Sequence, residues 1–176
     1  MLPLKITTPL LLEVIKDLHA GERVSLSGSI FTGRDAAHKR MIKLLDDNEP
    51  LPFDFHDQAI FYAGPCSTPP GRAIGSIGPT TSLRMDHYSP RLIKEGLRIM
   101  IGKGERSKPV IDAICEYSGL YMAAVGGTGA LLSLCVERAD LIAFEDLGVE
   151  AIYKLTIRDM PLVVALDCEG GNIYDN

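Results

Sequence analysis

The feature of this sequence that most constrains its fold is the alternation of short apolar segments with helical segments along the chain. Strand-like composition occurs in RVSLSGSIFT (23–32), QAIFYAG (58–64), AIGSIG (73–78), LRIMIG (97–102), GLYMAAV (119–125), EAIYKLTI (150–157) and MPLVVALD (160–167). Helical patterns lie between them, from about Arg34 to Leu45, after Pro79, after GKGERSKP as far as Cys115, and after GGTGA. Short strands that alternate with helices predict an α/β domain with mostly buried strands.

The N-terminal stretch is predicted to form the first helix. Its apolar residues recur at helical spacing, at Leu11, Val14, Ile15 and Leu18. Thr7 or Thr8 would cap this helix before Pro9, and Gly21 would end it. An acidic residue interrupts the apolar stretch and no small-residue cleavage site follows, so the pattern is not that of a signal peptide.

Length and charge exclude several classes of protein. The chain has 176 residues, enough for a single domain covering 1–176 with its own core. Its formal net charge is −5, it contains no tryptophan, and no basic stripe is interleaved with aromatic residues, so no nucleic-acid partner is expected. Apolar runs such as Leu162–Leu166 are too short to cross a bilayer, so no membrane partner is expected either.

The four cysteines, at positions 66, 115, 135 and 168, form no CxxC pair. Three of them, Cys115, Cys135 and Cys168, lie in apolar segments and are predicted to be small core residues. Cys66 lies in the loop GPCSTPPG, where an unremarkable loop thiol is the main interpretation. A disulfide framework is therefore not expected, and a reducing, cytoplasmic location is. A metal site built from these cysteines alone has little support from their spacing.

The first candidate site is the strand-to-helix turn in TGRDAAHKR. Thr32 or Gly33 would cap the helix, which places Arg34 and Asp35 in its first turn and His38 on the same face. An arginine at a helix N-terminus opposes the helix dipole, so an anion is expected to compensate it. The alternative is that Asp35 and solvent satisfy Arg34.

The second candidate site is IGPTTSLRMD. Pro79 would end a strand, Thr80 or Thr81 would cap the following helix, and Arg84 would lie one turn above Thr80. A hydroxyl, open backbone N–H groups and a guanidinium together form a carboxylate-binding corner. A purely structural capping arrangement is the alternative.

Two glycine-rich turns complete the candidates. In IGKGER, Lys103 stands between two glycines at a strand end, where a ligand can approach closely, although ordinary turn chemistry also explains the pattern. In VGGTGALLS the spacing is not GxGxxG, so tight packing or the floor of a site is favoured over nucleotide binding.

Three segments in order, SGSIFTGRDAAHKR, YAGPCSTPPGRAIGSIGPTTSLRMD and IGKG, resemble the β subunit, or C-terminal domain, of class I iron–sulfur fumarate hydratases. The similarity extends from ITTP (6–9) to VVALDCEGGNIY near the C-terminus. The β subunit of L(+)-tartrate dehydratase shares GPTTSxRM and GKG with it, whereas TGRDAAH is more similar to the fumarase form.

The resemblance implies a swivelling β/β/α domain, a layered mixed sheet with helices, that binds no cluster itself. A partner α subunit would hold a [4Fe–4S] cluster through three cysteines, and the substrate would lie between the two. By motif match, Arg34, Arg84 and Lys103 would bind the substrate carboxylates, and Thr80 would be the catalytic base. Because the sequence starts at Met1 without a cluster domain, the two-subunit form is expected.

The function that the resemblance implies is that of a hydro-lyase subunit in the tricarboxylic acid cycle. The chain would be the β subunit of a fumarate hydratase that interconverts fumarate and (S)-malate, inactive without its α subunit. A heterotetramer is expected, or a homo-oligomer when the chain is isolated. The enzymatic alternative is an L(+)-tartrate dehydratase β subunit. The alternatives of other classes are a non-catalytic carboxylate-binding or assembly module and, more weakly, a nucleotide-binding protein.

Overall fold

A computed structural model describes residues 2–175 as one mixed sheet with helices packed against it. The strands are β1 (Leu4–Thr7), β2 (Arg23–Thr32), β3 (Ala59–Phe61), β4 (Ile99–Gly102), β5 (Leu120–Ala123), β6 (Val136–Ala143) and β7 (Ile152–Leu166). The α-helices are α1 (Leu12–Lys16), α2 (Asp35–Asp46), α3 (Ser89–Lys94), α4 (Lys108–Glu116) and α5 (Gly129–Leu134), with 3₁₀ helices at Ser82–Met85 and Glu145–Glu150. The α/β class predicted from the sequence is confirmed. None of the described helices has the length and apolarity that crossing a membrane requires.

Five of the strands pair in a closed ring, so that the first is also hydrogen-bonded to the last. Strands β2, β3, β4 and β5 lie side by side and parallel, and β7 pairs antiparallel with both β5 and β2. Strand β1 adds to β2 in parallel, and β6 adds to β7 antiparallel. Because β2 to β5 run in the same direction, the loops that follow their carboxyl ends lie at a common edge of the sheet.

The core lies on both faces of the sheet, because successive strand residues point to opposite sides. In β4, Ile99 and Ile101 pack into a cluster with side chains of α1, β2 and β7. Met100, between them, belongs to a second cluster that joins the sheet to α2, α3 and α4. The short central strands are therefore buried on both faces, as the continuous apolar composition of their sequence predicts.

The prediction for the N-terminal stretch is wrong in part. Residues Leu4–Thr7 form β1, and the helix is confined to Leu12–Lys16 without a side-chain cap. Thr8 does not cap it: its hydroxyl donates to the carbonyl oxygen of Ser29 at 2.6 Å. Strand β1 precedes the residues whose periodicity predicted the helix, and it forms through a non-local contact, its pairing with β2.

Two further strand predictions are corrected. The AIGSIG segment is not a strand, although Ile74 and Ile77 are buried, so its apolar residues fill the core from an irregular backbone. The two strands predicted at 150–157 and 160–167 are one continuous strand, β7, which passes through Asp159 at a φ of 50°. Strand β6 and helix α3 were not anticipated. By contrast, β2 has the predicted bounds and α2 matches the predicted helix closely.

Candidate functional site

The loops that carry the predicted site residues meet at the edge where the parallel strands end. Arg34 lies between β2 and α2, and Lys103 directly follows β4. Thr80 is held against the end of β3, because its N–H donates to the carbonyl of Tyr62 at 2.6 Å. Arg84 lies in the 3₁₀ helix that follows Thr80.

The turn before α2 differs from the predicted capping arrangement. Arg34 itself occupies the N-cap position, with an extended backbone and no side-chain cap. Thr32 is buried and committed to β7: its hydroxyl donates to the carbonyl of Ala151 at 3.3 Å and accepts the N–H of Tyr153 at 3.0 Å. The first N–H groups of this 12-residue helix thus keep no side-chain partner from the N-cap, as an anion-binding helix terminus requires.

The Arg34 side chain packs against the backbone at Gly64. A Cβ atom added at Gly64 would lie 3.2 Å from Arg34 Cδ and 2.4 Å from the carbonyl oxygen of Val149, so only glycine fits there. Arg34 Nε lies 3.4 Å from a carboxylate oxygen of Glu150. The pair attracts, but its geometry is not that of a hydrogen bond, and Nε is buried without a hydrogen-bond partner.

Arg84 is tied to the same turn through Asp35. Its Nε donates to Asp35 Oδ1 at 2.9 Å, while its side chain stays 54% exposed and its other nitrogens can reach a ligand. The predicted stacking of Arg84 over Thr80 on one helix is wrong, because the 3₁₀ helix begins only at Ser82. The tertiary contact with Asp35 brings the segments of residues 34 and 84 together instead.

Lys103 borders both neighbouring loops. Its backbone forms a bridge with Thr81, and its carbonyl accepts the N–H of Ser82 at 2.9 Å. On the other side, a Cβ added at Gly126 would lie 3.6 Å from Lys103 Cδ, which places the GGTGA loop beside the lysine. A Cβ at Gly129 would lie 2.8 Å from Ser76 Oγ, so that loop is also packed tightly, as predicted.

His38 lies beneath this turn and is fully buried. Its Nδ1 donates to the carbonyl oxygen of Arg34 at 2.8 Å. Burial lowers the pKa of His38 to about 4, although the bond to Arg34 opposes this shift. The imidazole is therefore neutral at pH 7, and its Nε2 lone pair is buried without a partner.

The buried side-chain atoms without a hydrogen-bond partner are concentrated at the start of α2. Across residues 2–175 they are Arg34 Nε, Asp35 Oδ2 and His38 Nε2. An unpaired buried polar group costs roughly 1–3 kcal/mol, and most such groups in proteins are satisfied by water or a ligand. Three such atoms within five residues show that the protein itself leaves hydrogen-bonding capacity at this turn, which water or a polar ligand can fill.

Sequence reasoning missed a buried polar network behind the edge. Arg106 and Asp86 form an ion pair at 2.7 Å in which the arginine side chain is 0% exposed and the aspartate 6%. Ser89 and Tyr62 belong to the same network. The signal was present, because Asp86 ends the GPTTSLRMD segment and Arg106 ends GKGER, but only the earlier residues of those segments were used.

The described residues do not fit a cluster or metal site. No group of three or more His, Cys, Asp and Glu side chains in 2–175 is arranged to hold a metal ion. The predicted burial of the cysteines is also wrong: Cys115 is exposed, and Cys135 and Cys168 are partly exposed. Cys66 is exposed in its loop, as that loop composition indicated.

A cavity of about 530 Å³ is lined by Leu162 and by Val125, Leu131 and Leu132 of the glycine-rich VGGTGALLS segment. Its lining includes none of Arg34, Thr80, Arg84 and Lys103. The cationic edge (Arg34, Asp35, Thr80, Arg84 and Lys103) is instead partly open to solvent. An anion bound there would need a second surface to enclose it.

Comparison with known proteins gives consistent matches. The family model described as "Fumarase C-terminus" matches residues 2–176. The chain is 40% identical over 154 residues to "Fumarate hydratase class I, aerobic" of Escherichia coli, covering 86% of this chain and 28% of that protein. It is 39% identical over 156 residues to "Fumarate hydratase 2" of Leishmania major, covering 88% and 28%.

A third relative has nearly the same length as this chain. It is provisionally named L(+)-tartrate dehydratase subunit beta, from Methanocaldococcus jannaschii, and is 39% identical over 167 residues, covering 92% of this chain and 86% of that protein. The chain thus spans less than a third of the fumarate hydratases that it matches, and most of the tartrate dehydratase subunit.

Proposed function

The chain belongs to the Fumarase C-terminus family, and on that premise we propose that it is the β subunit of a two-subunit class I fumarate hydratase. The resemblance found in the sequence is confirmed by the family match. The proposed reaction is the reversible hydration of fumarate to (S)-malate. The swivelling β/β/α fold expected for this subunit, its pairing with an α subunit and its cytoplasmic location are parts of the same proposal.

The observation that carries the proposal is the cationic edge. Two guanidiniums and one ammonium, from Arg34, Arg84 and Lys103, belong to loops that meet where β2, β3 and β4 end. The side chains of Arg34 and Arg84 are 25% and 54% exposed, so both are partly open to solvent. A dicarboxylate supplies acceptors for such donors, because carboxylates match guanidinium geometry in pairs.

The residues of this edge also suit the charge changes of the reaction. Removing the proton beside a carboxylate of malate builds negative charge on that carboxylate. Fixed cations from Arg34, Arg84 and Lys103 would stabilise that charge. Thr80 would take the proton, and the cluster of the partner subunit would supply the Lewis acid that accepts the hydroxide leaving the adjacent carbon. A threonine hydroxyl is a weak base in water, and the neighbouring cations would favour its alkoxide.

The cluster belongs to the partner in this proposal. The described residues offer no arrangement of donors for a cluster. The match to the aerobic fumarate hydratase of Escherichia coli covers 28% of that protein, so most of its chain lies outside the matched region. We therefore assign the [4Fe–4S] cluster to an α subunit that covers the cationic edge, and we assign to this chain the binding of carboxylates and the transfer of the proton.

The test is an anaerobic assay of the reconstituted complex with fumarate, malate and L-tartrate side by side. Turnover of fumarate and malate above that of tartrate is the expected result. The tartrate dehydratase β subunit remains a second candidate, because the relative provisionally given that name covers nearly the same length as this chain. A preference for tartrate would replace the first candidate by the second.

A non-catalytic binding or assembly module is separated by variants in the same complex. Thr80→Ala and Arg84→Ala abolish most turnover if the proposal holds, and Thr80→Ser restores part of it because the hydroxyl returns. Arg91→Ala is the matched control, since Arg91 is an exposed arginine paired with Glu95 on α3. Unchanged turnover in Thr80→Ala and Arg84→Ala would favour the module. Titration calorimetry with nucleotides tests the remaining alternative.

A further inference from the structure

A guanidinium buried behind the cationic edge makes contacts with all of its nitrogens. Arg106 Nε donates to Asp86 Oδ1 at 2.7 Å, and Nη2 donates to Ser89 Oγ at 2.9 Å and to the Tyr62 hydroxyl at 3.3 Å. Nη1 lies 3.6 Å from the sulfur of Met100. The arginine is therefore satisfied within the protein and is not itself free to bind substrate.

The surroundings of Arg106 keep it charged. Burial lowers its pKa, but Tyr62, Asp86 and Tyr121 together raise it above the ordinary value. Its guanidinium carbon lies 5.2 Å from the Tyr62 ring centre and 4.9 Å from that of Tyr121. Both rings lie within cation–π distance of the guanidinium, and the ion pair with Asp86 fixes its direction.

Contacts of this guanidinium connect it to three segments that hold site residues. The Tyr62 hydroxyl accepts a hydrogen bond from Arg106 Nη2, and the Tyr62 carbonyl accepts one from the N–H of Thr80. Asp86 follows Arg84 by two residues at the end of the 3₁₀ helix. Arg106 itself follows Lys103 by three residues in the β4–α4 loop. A single side chain thus joins the segments of Thr80, Arg84 and Lys103.

A second contact reinforces the same connection. Ser82 Oγ lies 2.9 Å from the Tyr121 hydroxyl, which donates to the carbonyl of Gly104 at 2.8 Å. A Cβ at Gly102 would lie 2.0 Å from Ser82 Oγ, so the 3₁₀ helix packs directly on the backbone of β4. These contacts hold the 3₁₀ helix against the loop that carries Lys103.

We propose that Arg106 is a positioning residue that keeps Thr80, Arg84 and Lys103 in the relative placement that the reaction needs. The inference rests on the proposed function for its catalytic meaning, but its structural content is independent. Stability alone does not account for such a pair, since a buried ion pair is often no more stabilising than apolar side chains of the same volume. Positioning explains why a charged network connects these particular segments.

The first test follows amide hydrogen exchange of the full chain by NMR. In Arg106→Lys, the amides of Thr80 and Ser82 are expected to exchange at least about ten-fold faster, because the carbonyls that they bind lose their support. Amides of β2 that pair with β7 should keep their protection. Arg98→Lys is the matched control, because Arg98 pairs with Asp57 at 2.8 Å in another part of the fold.

Unchanged exchange at Thr80 and Ser82, relative to Arg98→Lys, would overturn the inference. If Arg106→Lys does not fold, the double variant Asp86→Leu/Arg106→Met replaces the ion pair by apolar side chains. It should fold and still show accelerated exchange at both amides. Protection equal to that of the unmodified chain in the double variant would show that the network is structural only.

The second test measures kinetics in the reconstituted complex. A displacement of about 1 Å in a reacting group is enough to slow a reaction about 100-fold, so Arg106→Lys should lower kcat on that scale. The KM for the dicarboxylate should change less, because displaced cations keep their charge and still attract the substrate. A loss confined to KM contradicts the inference. If the complex formed with the unmodified chain shows no turnover, the proposed function is wrong. The hydrogen-exchange experiment alone then tests whether Arg106 positions these segments.

Discussion

The cationic edge and the network around Arg106 use the same residue type in opposite ways. At the edge, Arg84 is 54% exposed, and Arg34 Nε and Asp35 Oδ2 are buried without hydrogen-bond partners. In the network, Arg106 is 0% exposed and each of its nitrogens has a contact. Under the proposed function, the partly exposed arginines of the edge bind the ligand, whereas the buried and fully paired arginine holds neighbouring segments in place. The burial of each guanidinium would then separate binding residues from positioning residues, although both come from the same sequence segments.

The largest effect on stability is expected in the network around Arg106, where an arginine and an aspartate form a buried ion pair. Asp86→Ala leaves Arg106 buried without its anion and should lower the free energy of unfolding by about 3–5 kcal/mol. Urea denaturation measures this change. Asp146→Ala is the control, since Asp146 pairs with Arg40 on the surface and should cost at most about 1 kcal/mol. Equal losses in the two variants would erase the distinction between the regions.

The next effect falls on activity at the edge. Arg84→Ala in the complex should reduce kcat by about 100-fold to 1000-fold, as expected for loss of one group that stabilises a developing anion. Its free energy of unfolding should change by no more than about 1 kcal/mol, because the bond to Asp35 is exposed. Arg91→Ala should alter neither quantity appreciably. An Arg84→Ala protein that unfolds easily would instead assign Arg84 to the structural network.

A smaller effect depends on pH through His38, which lies between the two regions. Its pKa is lowered to about 4 by burial, against an ordinary value of 6.5, so the unfolded chain binds the proton more readily. Stability should therefore fall as pH decreases from 6.5 toward 4, by up to roughly 3 kcal/mol. The groups that act on the imidazole are the Arg34 carbonyl, Arg106, Asp35 and His87.

Thermal unfolding of His38→Gln across that pH range measures this contribution. The variant should lose stability less steeply between pH 6.5 and 5 than the unmodified chain. His19→Gln is the control, because His19 is exposed. The same slope in His38→Gln and the unmodified chain would mean that the histidine carries no such linkage.

The smallest expected effect concerns competition for Arg34. Glu150 lies 3.4 Å from Arg34 Nε and attracts the guanidinium away from a bound carboxylate. Glu150→Gln should therefore tighten dicarboxylate binding by no more than about five-fold, the equivalent of a partly exposed ion pair. Inhibition of the complex by a non-reacting dicarboxylate measures it. Glu137→Gln, on an exposed pair with Arg158, should leave the inhibition constant unchanged. Weaker binding in Glu150→Gln would mean that Glu150 supports Arg34 instead.

The sequence determined the α/β class, the bounds of β2 and the placement of Arg34 and Lys103 just after strands, whereas the segment before Thr80 and Arg84 is irregular and not the predicted strand. These follow from local patterns, since alternation, turn residues and helical spacing act within a few residues. The resemblance to the fumarase family was also readable, because it rests on the order of short motifs. The roles of those four residues remain predictions that the experiments above test.

Only the tertiary structure decided which contacts those residues make. Local spacing predicted a cap from Thr32 or Gly33 and a helical stack of Arg84 on Thr80. In the structure Arg34 is the N-cap, Thr32 is bound to β7 and Arg84 to Asp35. The pairing of β1 with β2 and the burial of Arg106 were likewise decided by segments far apart in the chain. Burial and hydrogen bonding depend on which distant segments come into contact, and a pattern within a few neighbouring residues does not contain that information.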